Sequence, residues 1–234
     1  GRQAVNEALR RGGARVVYAT PEAAASNSEI VASADGAGVP IEWVTPQAAA
    51  ALSETVTPQN LIAVCPYIDL TLEQVLSGSP RLIALLDRIQ DPGNAGTVLR
   101  AADAAGADAV IFSDASVDPY NGTCVRASVG SVFHPAVVRG GDPAALIAEL
   151  RGSGMQVLAA DGHATQSLNE LADRGELTGR TAWLLGNEAS GIDARLLAGV
   201  DRTLRIPIYG QAESLNLALA AGLCLYASAA AQAG

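Results

Sequence analysis

The sequence predicts an α/β protein built on a mostly parallel β-sheet, and three observations carry that prediction. Short apolar runs rich in β-branched residues alternate with helix-length segments along most of the chain. The runs RLIALLD (81–87) and DAVIF (108–112) bracket the helical segment NAGTVLRAADAAG (94–106), in the spacing of a βαβ unit. Both runs are apolar at nearly every position, as strands are when helices cover both faces of a parallel sheet.

Taken in order, the first block runs to residue 66. It reads as a helix over Ala4 to Arg10, a strand ARVVYAT (14–20), a helix around NSEIVASADGAG (27–38), a strand PIEWVT (40–45), a helix PQAAAALSE (46–54) and a strand LIAVC (61–65). Gly, Pro, Asn and Ser close these runs, so residues 1–66 predict a small α/β domain of their own. Residues 67–80 read as a linker with one or two helical turns, and residues 81–234 as a second, larger domain. Beyond the βαβ unit that domain continues with strands GMQVLAAD (154–161) and TAWLLG (181–186) and helices DPAALIAELRGSG (142–154) and AESLNLALAAGLCLYASAA (212–230). The last helix is apolar on every side and predicts burial all round, yet Glu213, Ser214 and Asn216 stand at its start, where such residues favour caps and turns.

Composition excludes several classes. No apolar run reaches the roughly 18 residues a bilayer requires, and no charged n-region precedes an apolar stretch, so a soluble, cytoplasmic protein without a membrane partner is expected. Three widely spaced cysteines and two histidines, with no CxxC, support neither a disulfide framework nor a metal site. The chain opens on Gly1 and at once on a helical pattern, which predicts a truncated N-terminus. All 15 basic residues are Arg, and 24 acidic residues bring the net charge to -9, the wrong sign for bulk attraction to nucleic acid. Any contact with nucleic acid therefore needs a local basic face. Arg2, Arg10, Arg11 and Arg15 form one such cluster, for which a solvated helix end is an equal reading, and Arg126, with Ser128 beside it, is a second candidate.

Three clusters could carry chemistry. DPGNAGTVLR (91–100) is a strand end, a Gly-rich turn and a helix start, where free N–H groups and the helix dipole favour an anion. Asn94 could cap that helix, and Arg100 could pair with Asp87 or Asp103. LLGNEASGI (184–192) again follows an apolar strand, at the edge where ligands of open α/β sheets collect. Its Gly186 would let a flat ligand approach the backbone, and Glu188 could simply oppose a helix dipole. IPIYGQAES (206–214) leads into Ser214 and Asn216, for which capping is the bland alternative. The G-x-x-x-x-G-K-[ST] and G-x-G-x-x-G fingerprints are both absent.

In this order the patterns DPGNAGTVLRAADAAGADAVIF, ASVGSVFHPAV, LLGNEASGI and IPIYGQAESLNLALAAGLCLY resemble the successive motifs of the SpoU, or TrmH-type, RNA ribose methyltransferases of the SPOUT superfamily. The resemblance covers residues 81 to about 228, and the preceding block, with GRQAVNEAL and TPQNLIAVC, is similar to the small ribosomal-protein-like substrate-binding domain of rRNA-directed members. It implies a mostly parallel sheet whose C-terminal segment is threaded as a trefoil knot. It implies S-adenosylmethionine as cofactor without a metal, a ribose 2′-hydroxyl as methyl acceptor, and a homodimer with the active site at the subunit interface. Catalytic roles fall on Asn94, Arg100, Glu188, Ser214 and Asn216. Cofactor contacts fall on Ala160, Gly186, Asn187, Ile206, Ser214 and Leu215, and RNA contacts on Arg2, Arg10, Arg11 and Arg126. A guanidinium keeps its proton in almost any protein environment, so Arg100 is expected to act as an electrostatic clamp, leaving the base open. His134 and His163 fall outside the matched catalytic positions and read as surface or core-polar residues. The accessory block favours 23S rRNA over tRNA as substrate. A tRNA methyltransferase, a non-catalytic RNA-binding or assembly protein on the same fold, and a small-molecule methyltransferase remain the alternatives, as do housekeeping and self-protecting roles on rRNA.

Overall fold

The structure is a computed structural model that describes residues 1–53, 55 and 57–234. Glu54, the last residue of the expected helix PQAAAALSE, lies outside the described residues.

The first block folds as α1 (Arg2–Arg10), β1 (Val16–Ala19), α2 (Pro21–Ala25), α3 (Ser28–Gly36), β2 (Ile41–Trp43), α4 (Pro46–Ala51) and β3 (Leu61–Val64). β1 is the centre of a three-stranded sheet, parallel to β2 and antiparallel to β3. Thr20 and Thr45 accept hydrogen bonds from Ala23 and Ala48, and each is followed by Pro at the first helical position, so the sequence T-P starts both α2 and α4. Val5, Ala8 and Leu9 of α1 pack with Val17, Ile30, Ala34 and Leu61 in a small core.

After α5 (Leu72–Ser77) the chain builds β4 (Leu82–Leu86), α6 (Pro92–Ala104), β5 (Ala109–Phe112), α7 (Gly122–Ser128), a 3₁₀ turn (Ser131–Phe133) and β6 (Ala136–Arg139). It continues with α8 (Pro143–Gly152), β7 (Gln156–Ala160), β8 (Gln166–Ser167), α9 (Leu168–Asp173), β9 (Thr181–Leu185), α10 (Ala194–Leu197), β10 (Arg202–Arg205) and α11 (Leu217–Ala233). Seven strands form one sheet in the order β6-β5-β4-β9-β7-β10-β8, and every pairing in it is parallel. Period-two alternation divides the strand residues between two cores. Leu82, Ala84, Leu86, Trp183 and Leu185 face α6, α7, α9 and α11, whereas Ile83, Leu85, Ala182 and Leu184 face α5, α8 and α10. Helices on both faces explain why these strands are continuously apolar.

Between β3 and α5 the chain is docked on the edge strand. Leu70 donates its N–H to the Val137 carbonyl at 2.8 Å. The Arg139 guanidinium meets Asp69 at 3.1 and 3.2 Å and lies 4.5 and 5.0 Å from the ring centroids of Tyr67 and Tyr120. Burial pushes the Tyr120 phenol up to about 12. Its O–H donates to Asp69 while accepting the Ile68 N–H.

Two expectations about the C-terminal segment need correction. α11 begins at Leu217 rather than near Ala212, because Asn216 ends the preceding loop and its Oδ1 accepts the N–H groups of Ala218 and Leu219 at 2.9 and 3.3 Å. Nor is the helix buried all round. Ala218, Ala221, Cys224, Leu225 and Ser228 are buried, but Leu219, Leu223 and Tyr226 are 54%, 43% and 53% exposed. They recur at i, i+4 and i+7 and form one apolar stripe.

Candidate active site

Chain order places the site. β4, β5 and β6 step outward in one direction, and β7 starts the other half of the sheet, so β4 and β9 meet where the strand order reverses. Ligands of open parallel sheets bind at such switch points, outside the carboxyl ends of the strands. The loops that leave β4 and β9 are stitched together there. Asp87 donates its N–H to the Leu185 carbonyl at 2.9 Å, and Asn187 Nδ2 donates to the Arg88 carbonyl at 2.8 Å.

Three of the expected catalytic residues converge on this edge. Asn94 Nδ2 donates to Glu188 Oε1 at 3.2 Å, and Asn216 Nδ2 donates to Asn94 Oδ1 at 2.9 Å. The polarity is set from one end, because Asn216 must turn its oxygen to the α11 N–H groups, which leaves its amide nitrogen facing Asn94. Asn94 then has only its own nitrogen to offer the carboxylate. Each amide keeps one N–H, and Glu188 keeps lone pairs, so the cluster presents donors and an acceptor side by side. That combination suits a sugar hydroxyl, which both donates and accepts.

The local reasons differ from those expected. Asp91, not Asn94, caps α6, accepting the Asn94 N–H at 2.6 Å, with Pro92 at the first helical position. Freed from capping, the Asn94 side chain points across to Glu188. Glu188 is not at a helix start: it sits in the turn closed by the Asn187 and Gly191 bridge, where Asn187 Oδ1 accepts the N–H groups of Ala189 and Ser190. Gly186 is needed by the chain itself, since a Cβ there would lie 2.4 Å from Ile192 Cγ1 and 2.7 Å from the Gly191 carbonyl oxygen. The turn that carries Glu188 folds back into the space a side chain would take.

Gln90 was missed by sequence reasoning. Its N–H points to Glu188 Oε2 at 3.4 Å, and its Nε2 donates to the carbonyls of Arg88 and Ala115 at 3.2 and 2.6 Å. Its place one residue before the D-P-G-N turn was the available signal.

Arg100 and Ser214 are exposed and do not join the cluster. Among the described residues, Arg100 makes no side-chain hydrogen bond or ion pair. The carboxylates suggested as its partners are engaged elsewhere, Asp87 by Arg88 at 3.0 Å and Asp103 by His134 at 2.7 Å. Arg100 lies three residues beyond Thr97 on α6, and Thr97 borders a groove of about 570 Å³ walled by Leu219, Gly222, Leu223 and Tyr226.

The expected cofactor positions gather at the carboxyl ends of neighbouring strands. Ala160 ends β7 and pairs with Leu204, Gly186 follows β9, and Ile206 follows β10. From Pro207 to Leu215, among the described residues, no main-chain group donates or accepts a hydrogen bond within the chain. Main-chain N–H and C=O groups along such an exposed stretch have water rather than protein partners and are available to a ligand.

Of the expected RNA contacts, Arg2 pairs with Glu29 at 2.9 Å, Arg10 approaches Glu7 at 3.8 Å, Arg11 donates to the His134 carbonyl at 3.5 Å and Arg126 donates to Thr123 at 2.9 Å. All four are exposed. Ser128 is fully buried, its hydroxyl donating to the Val125 carbonyl, and cannot face RNA as suggested. Among the described residues, no group of three or more His, Cys, Asp or Glu could hold a metal ion, and no helix is long and apolar enough to cross a membrane.

An all-parallel sheet with an amide–carboxylate cluster at its switch point defines an open α/β architecture of the kind that carries ligand sites at that edge. The particular family follows from comparison. Residues 81–226 match the SpoU rRNA Methylase family and residues 1–68 match the RNA 2′-O ribose methyltransferase substrate binding family, so the chain belongs to the SpoU methylases. It is 40% identical over 172 residues to the 23S rRNA guanosine 2′-O-methyltransferase RlmP of Bacillus subtilis, a match covering 74% of this chain and 65% of that protein. The chain thus spans just under two thirds of that relative's length. Two solved structures are similar nearly end to end. The AdoMet-bound rRNA methyltransferase from Sinorhizobium meliloti has a TM-score of 0.81 at 27% identity, covering 97% of this chain and 84% of that one. The SpoU methyltransferase AviRb from Streptomyces viridochromogenes has a TM-score of 0.83 at 25% identity, covering 100% and 88%.

Proposed function

We propose that this protein transfers a methyl group from S-adenosylmethionine to a ribose 2′-hydroxyl of 23S rRNA. The observation that carries the reading is the hydrogen-bonded cluster of Glu188, Asn94 and Asn216, which joins three distant motifs at one sheet edge. The name of the B. subtilis relative supports rRNA as substrate, and the family match of residues 1–68 supports an RNA substrate. A substrate of that kind implies a cytoplasmic protein.

The residues present fit the cofactor. Main-chain groups of Pro207–Leu215 lack partners within the chain, and Ala160, Gly186, Asn187 and Ile206 border the same edge. When bound, S-adenosylmethionine supplies a methyl already activated on a sulfonium. The work left to the protein is positioning and charge stabilisation. Glu188 accepts a hydrogen bond from the incoming hydroxyl, and the free N–H groups of Asn94 and Asn216 fix the sugar beside it. Ser214, exposed two positions before Asn216, lies where it can add a hydroxyl contact. The Arg100 guanidinium holds the developing oxyanion or a flanking phosphate.

The apolar stripe of Leu219, Leu223 and Tyr226 supports a homodimer whose partner covers the groove and reaches Arg100. We read the path of residues 206–216 between strand and helix as the threaded segment of a trefoil knot, with residues 1–66, 67–80 and 81–234 as domain, linker and domain.

The test is methyl transfer from labelled cofactor to separate pools of unmodified rRNA and tRNA, followed by mapping of ribose methylation. Label on rRNA is expected. Label on tRNA alone would move the substrate, and cofactor binding without transfer to either would reject the enzyme. Arg100→Ala is expected to abolish transfer while leaving cofactor affinity within about fivefold, a change of roughly 1 kcal/mol.

A further inference from the structure

His134, which sequence reasoning left without a role, lies at the surface but is not a freely solvated side chain. It stands between two carboxylates from different parts of the chain. Nδ1 lies 2.7 Å from Asp103 Oδ2, and Nε2 lies 3.1 Å from Glu7 Oε2. Glu7 belongs to α1 of the first block. Asp103 belongs to α6, the helix that carries Asn94 and Arg100.

The chemistry of the contact fixes the charge. Ionised carboxylates only accept, so both ring nitrogens must donate, and only the imidazolium has two N–H groups. Asp103 Oδ2 is pinned from another side by the Ser131 hydroxyl at 2.7 Å. Glu7 is held just as closely, because α1 packs on Gly130, where a Cβ would lie 2.6 Å from Glu7 Cγ. Two further charges face this contact from α1 and the residue that ends it: Arg10 approaches Glu7, and Arg11 donates to the His134 carbonyl.

We propose that His134 is a positioning residue for RNA, an imidazolium tie that holds the first block in register with α6 so that RNA gripped by one reaches the site on the other. The inference rests on the methyltransferase reading above. Hydrogen bonding to Asp103, and then to Glu7, raises the His134 pKa above its ordinary value. The charged form therefore persists past that value, and the tie is lost as pH rises through the raised one. Without the proton, one carboxylate loses its donor, and the register of α1 against α6 is left to the packing at Gly130 and Phe133.

Steady-state transfer to rRNA between pH 6 and 9 tests this, read as kcat and KM for RNA in the wild type, His134→Ala and His134→Arg. In the wild type, KM for RNA is expected to rise about tenfold across the range, equivalent to roughly 1.4 kcal/mol, with kcat and cofactor KM little changed by comparison. His134→Ala should show the high KM at every pH, and His134→Arg, which keeps its charge, the low KM at every pH. A wild-type KM that does not change with pH, or an alanine variant that loses kcat instead of KM, overturns the proposal. Amide hydrogen exchange of α1, measured without RNA, separates the two readings. Faster exchange in His134→Ala with no methyl transfer to any RNA rejects the function and keeps the tie, whereas unchanged exchange rejects the tie whatever the RNA assays show.

Discussion

Asn216 donates from Nδ2 to Asn94 Oδ1 at 2.9 Å, joining two side chains 122 residues apart. The same Asn216 caps α11 through its oxygen, so one side chain starts the last helix and orients the group that holds Glu188.

These two tasks are separable by substitution. Asn216→Asp keeps the capping oxygen, and stability measured by urea denaturation should stay within about 0.5 kcal/mol. It removes the amide donor, and Asn94 then has only one NH₂ to divide between Glu188 and the carboxylate introduced at the cap. Transfer should fall about tenfold or more, a loss of roughly 1.4 kcal/mol or more in the transition state. Asn216→Ala should lose both, with about 1 kcal/mol of stability gone as well.

Leu223 is exposed in the middle of the α11 stripe, so a charge there should leave the fold intact. Leu223→Glu is expected to convert the proposed dimer to monomer in light scattering and to lower transfer in parallel, because Arg100 lies one turn along α6 from Thr97, which borders the same groove. A variant that remains dimeric would count against the stripe as the contact.

Gly96 sets the distance between α6 and α7. A Cβ at that position would lie 2.2 Å from the Cys124 carbonyl oxygen and 2.7 Å from Ala127 Cβ. Backbone atoms cannot yield as a flexible side chain would. Gly96→Ala should therefore cost about 1–3 kcal/mol or more in urea denaturation despite the smallness of the change.

Asp69 gives the acid limb of stability a specific contributor. Burial, the largest single influence, would raise its carboxyl, but the hydrogen bonds and charge of Arg139, a main-chain hydrogen bond and the Tyr120 hydroxyl together outweigh it and hold the group below the usual carboxylate range. A lowered folded-state pKa contributes stability above the unfolded value, lost as pH falls through the folded one. The docked segment between β3 and α5 should thus loosen below about pH 4, where free carboxylates protonate, and Arg139→Ala should shift the acid-unfolding midpoint upward. Circular dichroism across an acid titration reads both.

Much of the fold was legible because its signals are local. Strands covered on both faces must be apolar at every position, so LIALL and TAWLL announced a parallel sheet. The T-P start of α4 and the D-P start of α8 were legible because each is decided by its own first turn, whereas the short α2 was not expected and α6 was expected to be capped by Asn94 rather than Asp91. The C-terminal helix was misread for the converse reason. An apolar residue that meets solvent or a second chain looks the same in sequence as one that meets a core, so Leu219 and Leu223 could not be told from Leu225. IPIYG read as strand and loop, yet β10 stops at Arg205, since Pro207 has no N–H to give a ladder and no neighbour pairs with the residues after it.

The sequence by itself determined the α/β class, the βαβ order and the three motifs, because each depends on period, turn chemistry and spacing within a dozen or so residues. Only the tertiary structure decided that Asn94, Glu188 and Asn216 form one hydrogen-bonded chain, that Gln90 steadies it, and that His134 lies between α1 and α6. Those relationships depend on which strand ends the sheet order brings together. Hydrogen bonds reach only about 3 Å, so no pattern along the chain reports a partner that lies on a distant segment.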